Sequence, residues 1–191
     1  HYREKHGVGQ VVDTSLCEPL LTLMGPQVIE YDQLGVVQNR LGSRLPFSAP
    51  RNVYLTQDDK WLSMSSSSQS VFERTMHAIG HPELITDERF TDNRKRGENV
   101  EALDKIISEW MRRHTQEEAM EIMVRNEAAA APVYSVADAL ADEHFIARKS
   151  VISVKDPKLG PVRMQAPTPR LSLTPGTVRT TGPTLGEHNA E

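Results

Sequence analysis

The sequence has 191 residues, of which 38% are hydrophobic and 25% charged, with a formal net charge of -4. That balance belongs to a folded globular protein; there is no basic surplus to grip nucleic acid, no acidic tail for a basic partner, and no apolar run long enough to span a bilayer. The single cysteine, Cys17, excludes an intrachain disulfide and suits a reducing, cytoplasmic compartment.

The chain opens on a charged helical stretch, His1 to His6, that runs straight into Gly7 and Gly9. This is the pattern of a helix whose start lies outside the chain. Val11-Val12-Asp13-Thr14 follows as a predicted short strand. Residues 16–31 have helical, apolar character limited by Pro19 and Pro26. A Gly-, Arg-, Pro- and Ser-containing loop runs from Gly35 to Arg51, a length associated with function or with a linker between domains. Asn52–Thr56 and Lys60–Met64 are predicted strands joined by a turn at Gln57-Asp58-Asp59. Ser67 or Ser68 is placed to cap a helix whose apolar face is Val71, Phe72, Met76 and Ile79, and Gly80 closes it. The next helix carries Val100, Leu103, Ile106, Ile107, Trp110 and Met111 on one stripe, each worth roughly 1.5–3 kcal/mol when fully buried. Thr115 to Glu118 has the form of a capping box and opens a helix that ends near Asn126. A buried strand is predicted at 129–134, then a second capping box at Ser135 to Asp138. A hairpin pairs 151–154 with 161–165 about Lys158-Leu159-Gly160. After it the chain is rich in Pro, Thr and Gly.

Taken as chemistry, these residues form weak clusters. His77 and His81 stand four apart, as zinc ligands on a helix do, yet Gly80 breaks the helix between them and no further ligand follows at the required spacing. Gly42-Ser43 lacks the glycines of a nucleophile elbow. Cys17, among apolar neighbours, is expected to be a buried structural thiol. Gly7-Val8-Gly9 is too short for a dinucleotide fingerprint and follows a helix instead of a strand. No metal site is expected.

Several motifs in order are more specific. Arg3 to Glu18 reads R-E-K-H-G-V-G-Q-V-V-D-T-S-L-C-E. It resembles the stretch of family III coenzyme A transferases (the CaiB/BaiF family, formyl-CoA transferase-like) in which a helix ends in R-x-x-T-G-x-G-Q and V-D-x-S-L follows. Arg40-Leu41-Gly42-Ser43, Ala49-Pro50, Tyr54-Leu55-Thr56 and Asp59-Lys60-Trp61 are similar to the family's R-x-G … A-P … Y-x-T-x-D-G-x-W. Asp87 to Phe90 with Arg96 and Asn99 resembles D-x-R-F … R-x-x-N. Ala131-Pro132-Val133 is similar to its P-x-x-P-V region, and Pro183 to His188 resembles P-x-L-G-E-H.

The resemblance covers nearly the whole chain as the C-terminal portion of such a protein. It implies an α/β fold: part of a Rossmann-like large domain plus a small α+β domain, in an interlocked homodimer. By that scheme residues 1–16 belong to the large domain, 17–45 to a crossing helix and loop, 46–112 to the small domain, 113–132 to a crossing helix, and 133–191 to the return into the large domain. The implied reaction transfers coenzyme A from an acyl-CoA to a carboxylic acid through an aspartyl-CoA intermediate. The substrate is a coenzyme A thioester, and no cofactor is held covalently. The reactive Asp lies upstream of His1, so no catalytic residue is expected in this chain, and Asp13 matches a structural position. Two elements are expected near the site. Arg44, Leu45, Pro46, Phe47 and Ser48 stand where some members carry a glycine-rich active-site loop, although the glycines are absent here and an ordinary linker is the alternative. Leu16 falls where some members line the acyl pocket, with a plain core role as its alternative.

Two rivals remain at this stage. Acyl-CoA racemases of the same superfamily place a Glu where this chain has Ser68, in Ser68-Gln69-Ser70-Val71-Phe72-Glu73, which counts against that chemistry. The other rival is a non-catalytic fragment or binding module.

Overall fold

The structure, a computed structural model, describes residues 1–189. The chain divides into two compact units, His1–Pro46 and Phe47–Glu191.

The first unit holds three short helices, α1 (Tyr2–His6), α2 (Glu18–Leu23) and α3 (Gln27–Leu34). Helix α1 ends at Gly7, whose φ of 70° no β-carbon opposes and whose N–H donates to the Arg3 carbonyl at 2.8 Å. Before α2, the Ser15 hydroxyl donates to Glu18 Oε2 at 2.9 Å and accepts from the Glu18 amide at 3.1 Å. Pro26 precedes α3 and Gly35 terminates it. None of the three helices buries a residue.

Two expectations change in this unit. Residues 11–14 form no strand, and Val11 and Val12 are 93% and 79% exposed. A strand exists only through hydrogen bonds to a neighbour, and the described chain supplies no neighbour there. Cys17 is exposed at the N-terminus of α2, not buried, because its apolar neighbours Leu16, Leu20 and Leu21 are themselves exposed.

The second unit is built on a three-stranded antiparallel sheet of β1 (Arg51–Leu55), β2 (Trp61–Ser65) and β3 (Ala130–Pro132), in that order. The β1–β2 turn is held by Thr56, whose amide and hydroxyl both donate to the Lys60 carbonyl at 2.9 Å, while Asp59 takes a φ of 55° that Asp tolerates better than most residues. Against the sheet pack α4 (Gln69–Ala78), α6 (Val100–Met111) and α7 (Gln116–Arg125). Tyr54, Leu62 and Met64 of the sheet meet Phe72, Met76 and Ile79 of α4, Leu103, Ile107 and Met111 of α6, and Ala119 and Met123 of α7 in one core. The helical stripes expected from spacing therefore supply most of the core, with Ile106 and Trp110 packed against its margin and Val71 and Val100 half-buried.

Both capping boxes form. The Glu118 carboxylate accepts from the Thr115 amide at 2.8 Å, and Asp138 accepts from the Ser135 amide at 2.8 Å at the start of α8 (Val136–Ala141). A 3₁₀ turn at Pro82–Ile85 and helix α5 (Asn93–Glu98) were not expected from periodicity, since both are too short to show a period. Beyond α8 come α9 (Glu143–Ala147) and a hairpin of β4 (Val151–Asp156) and β5 (Gly160–Gln165), one or two residues longer than its sequence pattern. Among the described residues no helix is long and apolar enough to cross a membrane.

Candidate functional site

The best-defined polar arrangement in the second unit is where the long loop ends and the sheet begins. Asp92 opens α5 as its N-cap, accepting from the Lys95 amide at 2.9 Å. That fixes Asn93 at the first helical position and Arg96 one turn later. Asn93 Nδ2 donates to the Phe47 carbonyl at 2.9 Å, and its Oδ1 accepts from the Ala49 amide at 3.1 Å. Arg96 Nε donates to the Ala49 carbonyl at 3.0 Å. One short helix thus holds three polar groups of residues 47–49.

Arg96 is only 1% exposed. Its remaining N–H groups reach the Phe90 carbonyl at 3.1 Å, the Ser67 carbonyl at 2.7 Å and Gln69 Oε1 at 2.9 Å. Its plane covers the Phe72 ring. Burial lowers its pKa from the usual guanidinium value, opposed by the more distant charges of Asp92 and Glu73. Four carbonyl-type acceptors solvate the cation where water is excluded, which is the role an Arg fork fills and a Lys does not.

The motifs that carried the resemblance in this region turn out to hold the unit together. Arg89 Nη2 lies 2.7 Å from Asp87 Oδ2, and that hydrogen bond lowers the Asp87 pKa to about 2. Phe90 is fully buried, and Asn99 Nδ2 donates to the Lys95 carbonyl at 2.9 Å. Ala49 is buried and joined to Pro50 by a cis peptide bond. Tyr54 Oη donates to the buried Asp104 at 2.5 Å, tying β1 to α6. Ala131 and Pro132 lie in β3 opposite Ser63 and Leu62. Near the C-terminus Glu187 accepts from the Thr184 amide at 2.6 Å and from its hydroxyl at 2.8 Å.

The residues expected near a site fall in both units. Leu16, Arg44, Leu45 and Pro46 belong to the first; there Leu16 is 92% exposed, and Arg44 and Leu45 are half-buried. Phe47 and Ser48 belong to the second, Ser48 buried and Phe47 66% exposed. The structure brings Phe47 and Ser48 to the N-terminus of α5 and gives Leu16 no comparable setting. Ser68 is exposed at the N-cap of α4, with extended backbone and no hydrogen bond from its side chain to the helix. His81 pairs with Glu83 at 2.8 Å, and among the described residues no group of His, Cys, Asp and Glu is arranged to hold a metal.

Asn93 is the residue the sequence did not disclose. It sits in the polar tract Asp92-Asn93-Arg94-Lys95-Arg96, which has the look of a solvated surface. None of Phe47, Ala49, Asn93 or Arg96 is a nucleophile or a proton-transfer group, so this arrangement positions and shapes and does no covalent chemistry itself.

The sequence pattern of CoA-transferase family III matches residues 1–189. A succinyl-CoA–D-citramalate CoA-transferase of Chloroflexus aurantiacus is 42% identical over 191 residues, covering 100% of this chain and 48% of that protein. The beta subunit of a succinyl-CoA–L-malate CoA-transferase from the same organism is 32% identical over 192 residues, again covering 100% of this chain and 47% of the relative. A CaiB/BaiF family protein from Brucella suis superposes with a TM-score of 0.78 at 26% identity, over 98% of this chain and 48% of that one. The chain thus spans about half the length of the curated relatives it matches.

Proposed function

The chain belongs to CoA-transferase family III, and from that premise we propose that it is the C-terminal part of an acyl-CoA:carboxylate CoA-transferase taking succinyl-CoA as donor and a hydroxylated dicarboxylic acid of the malate or citramalate type as acceptor. The observation that carries this reading is 42% identity, over the entire chain, with a succinyl-CoA–D-citramalate CoA-transferase. The α/β fold shared with CaiB/BaiF structures supports it.

In the proposed mechanism an aspartate carboxylate outside this chain attacks the thioester carbonyl of the donor and expels CoA thiolate, leaving a mixed anhydride. The thiolate then attacks the aspartyl carbonyl of that anhydride. The donor acid leaves as its carboxylate and an aspartyl-CoA thioester remains. The acceptor carboxylate repeats the sequence in reverse, forming a second anhydride from which CoA takes the new acyl group. Covalent catalysis of this kind divides one hard step into easier ones. The coenzyme A thioester is a substrate and nothing is bound covalently at rest.

This chain's contribution is scaffold and enclosure. Residues 1–16 and 133–191 serve the large domain, 46–112 the small one, and 17–45 and 113–132 cross between them. In this reading Arg44–Ser48 serve as an active-site loop, with a plain linker as the alternative, and Leu16 serves the acyl pocket, with a plain core role as its alternative. Helices α1 to α3 bury nothing within the described residues while exposing Leu20, Leu21, Leu23, Ile29 and Leu34. Apolar faces of that extent favour a homodimer in which other parts of the protein cover them.

The test is an assay of the full-length protein with succinyl-CoA and either D-citramalate or L-malate, following acyl-CoA products chromatographically. Formation of citramalyl-CoA or malyl-CoA with stoichiometric release of succinate is expected. Hydrolysis of succinyl-CoA with no new acyl-CoA would refute the proposal.

A further inference from the structure

Among the described residues β1 lies at one edge of its sheet and pairs with β2 alone. It follows directly on the long loop and carries Tyr54 into the core. A five-residue edge strand in that position is open to fraying from its first residue. Its pairing begins at Arg51 opposite Ser65 and runs one residue further back, where the Ser66 amide donates to the Pro50 carbonyl at 3.0 Å.

Before Pro50, side chains of α5 take over. The Ala49 carbonyl accepts from Arg96 Nε at 3.0 Å, the Ala49 amide donates to Asn93 Oδ1 at 3.1 Å, and the Phe47 carbonyl accepts from Asn93 Nδ2 at 2.9 Å. In a ladder, a neighbouring strand offers one N–H and one C=O to the groups on either side of a residue. A carboxamide carries the same donor and acceptor, and Asn93 presents them to the two groups that flank Ser48. It stands in for one residue of an absent neighbouring strand. Its own position is set by the Asp92 cap, and Arg96, 1% exposed, holds the Phe90 and Ser67 carbonyls as well. Ser48, Ala49 and Pro50 are buried, whereas residues 35–43 are exposed apart from the half-buried Gln38.

We infer that the Asn93 carboxamide is a conformational stop: opening of the loop 35–46 ends at Phe47 and does not run on into β1. Backbone whose hydrogen bonds are buried opens at a high free-energy cost, and exposed loop backbone opens at almost none. The stop places the change from one regime to the other ahead of the sheet, so that loop motion leaves Tyr54 and the core undisturbed. The inference is independent of the transferase reading.

Amide hydrogen exchange of the full-length protein, resolved to single residues, tests it. In the wild type the Ala49 amide is expected to exchange at least about 100-fold more slowly than those of residues 36–44. Asn93→Ala is expected to speed the Ala49 and Ser66 amides by about tenfold and to leave those of α6 unchanged. Asn93→Asp keeps the acceptor for the Ala49 amide and is expected to retain most of its protection. A wild-type Ala49 amide no slower than those of 36–44 overturns the inference without any variant. So does an Ala49 amide unmoved by Asn93→Ala. If α6 accelerates as much as Ala49, or Asn93→Ala fails to fold, the side chain supports the whole unit and is no local stop. If Asn93→Asp loses as much as Asn93→Ala, the carboxamide acceptor is not what holds the chain, and the inference fails.

Discussion

The guanidinium of Arg96 lies 4.3 Å from the centre of the Phe72 ring, stacked over it while its N–H groups reach the carbonyls of Ala49, Ser67 and Phe90. The cation therefore links the end of the long loop, the start of α4 and the segment before α5 through one side chain. Removing it leaves buried carbonyls without donors, at about 1–3 kcal/mol each, and removes a desolvated cation–π contact worth about 2 kcal/mol.

Arg96→Lys is accordingly expected to destabilise the protein by about 3 kcal/mol, because an ammonium lacks both the fork and the plane. Arg96→Met is expected to cost at least as much. Urea unfolding monitored by tryptophan fluorescence checks this. A midpoint within error of the wild type would show that the carbonyls find water instead.

Asp87 gives a pH dependence whose sign can be worked out. Its hydrogen bonds with Arg89, first from the side chain and then from the backbone, lower its pKa from the ordinary 3.8 to about 2. A carboxylate depressed in the folded state stabilises fully above its unfolded pKa and loses that contribution as pH falls through the folded value. Stability should therefore decline between about pH 4 and pH 2. Asp87→Asn should lower stability at neutral pH towards the acid value and so flatten that part of the profile, by a small amount because the pair is partly exposed and screened. Thermal midpoints of the two proteins across this range provide the comparison. Parallel curves would assign the acid loss to other carboxylates.

Ser68 offers a test between transfer and racemisation. It is an exposed N-cap residue whose side chain makes no hydrogen bond to α4, at the position where the racemase resemblance calls for a Glu. Racemisation needs a proton donor and acceptor on opposite faces of the α-carbon, each typically worth 10²–10⁴-fold. Ser68→Ala in the full-length enzyme should keep most of the transferase rate and cost well under 1 kcal/mol of stability, since no cap bond is lost. Neither protein should incorporate deuterium at the α-carbon of a 2-methylacyl-CoA in heavy water. Uptake abolished by Ser68→Ala would favour racemisation over transfer.

The 191-residue polypeptide by itself should neither transfer CoA nor remain monomeric. The exposed apolar residues of α2 and α3 have no cover within their own unit, and surfaces of that kind associate. Light scattering is expected to give a mass above one chain, and an assay with several acyl-CoA donors to give no turnover over a heat-killed control. A heat-stable monomer of 21.4 kDa, or measurable turnover, would contradict the respective half of this prediction.

The sequence alone determined whatever depends on neighbours within a few residues. The capping boxes at Thr115 and Ser135, the stop at Gly80, the stripe Leu103-Ile107-Met111 and the two hairpins all follow from torsional preference and side-chain period, and all are present. Ordered motifs also pointed to the family. Tertiary structure alone decided that Arg96 is buried, that Asn93 grips residues 47–49 from 44 positions away, that Cys17 is exposed and that residues 11–14 make no strand. Each of these depends on which distant groups arrive alongside. A hydrogen bond across that much chain leaves no local period to detect, and a strand, whose backbone bonds all lie outside itself, is made or lost by the neighbour it is given.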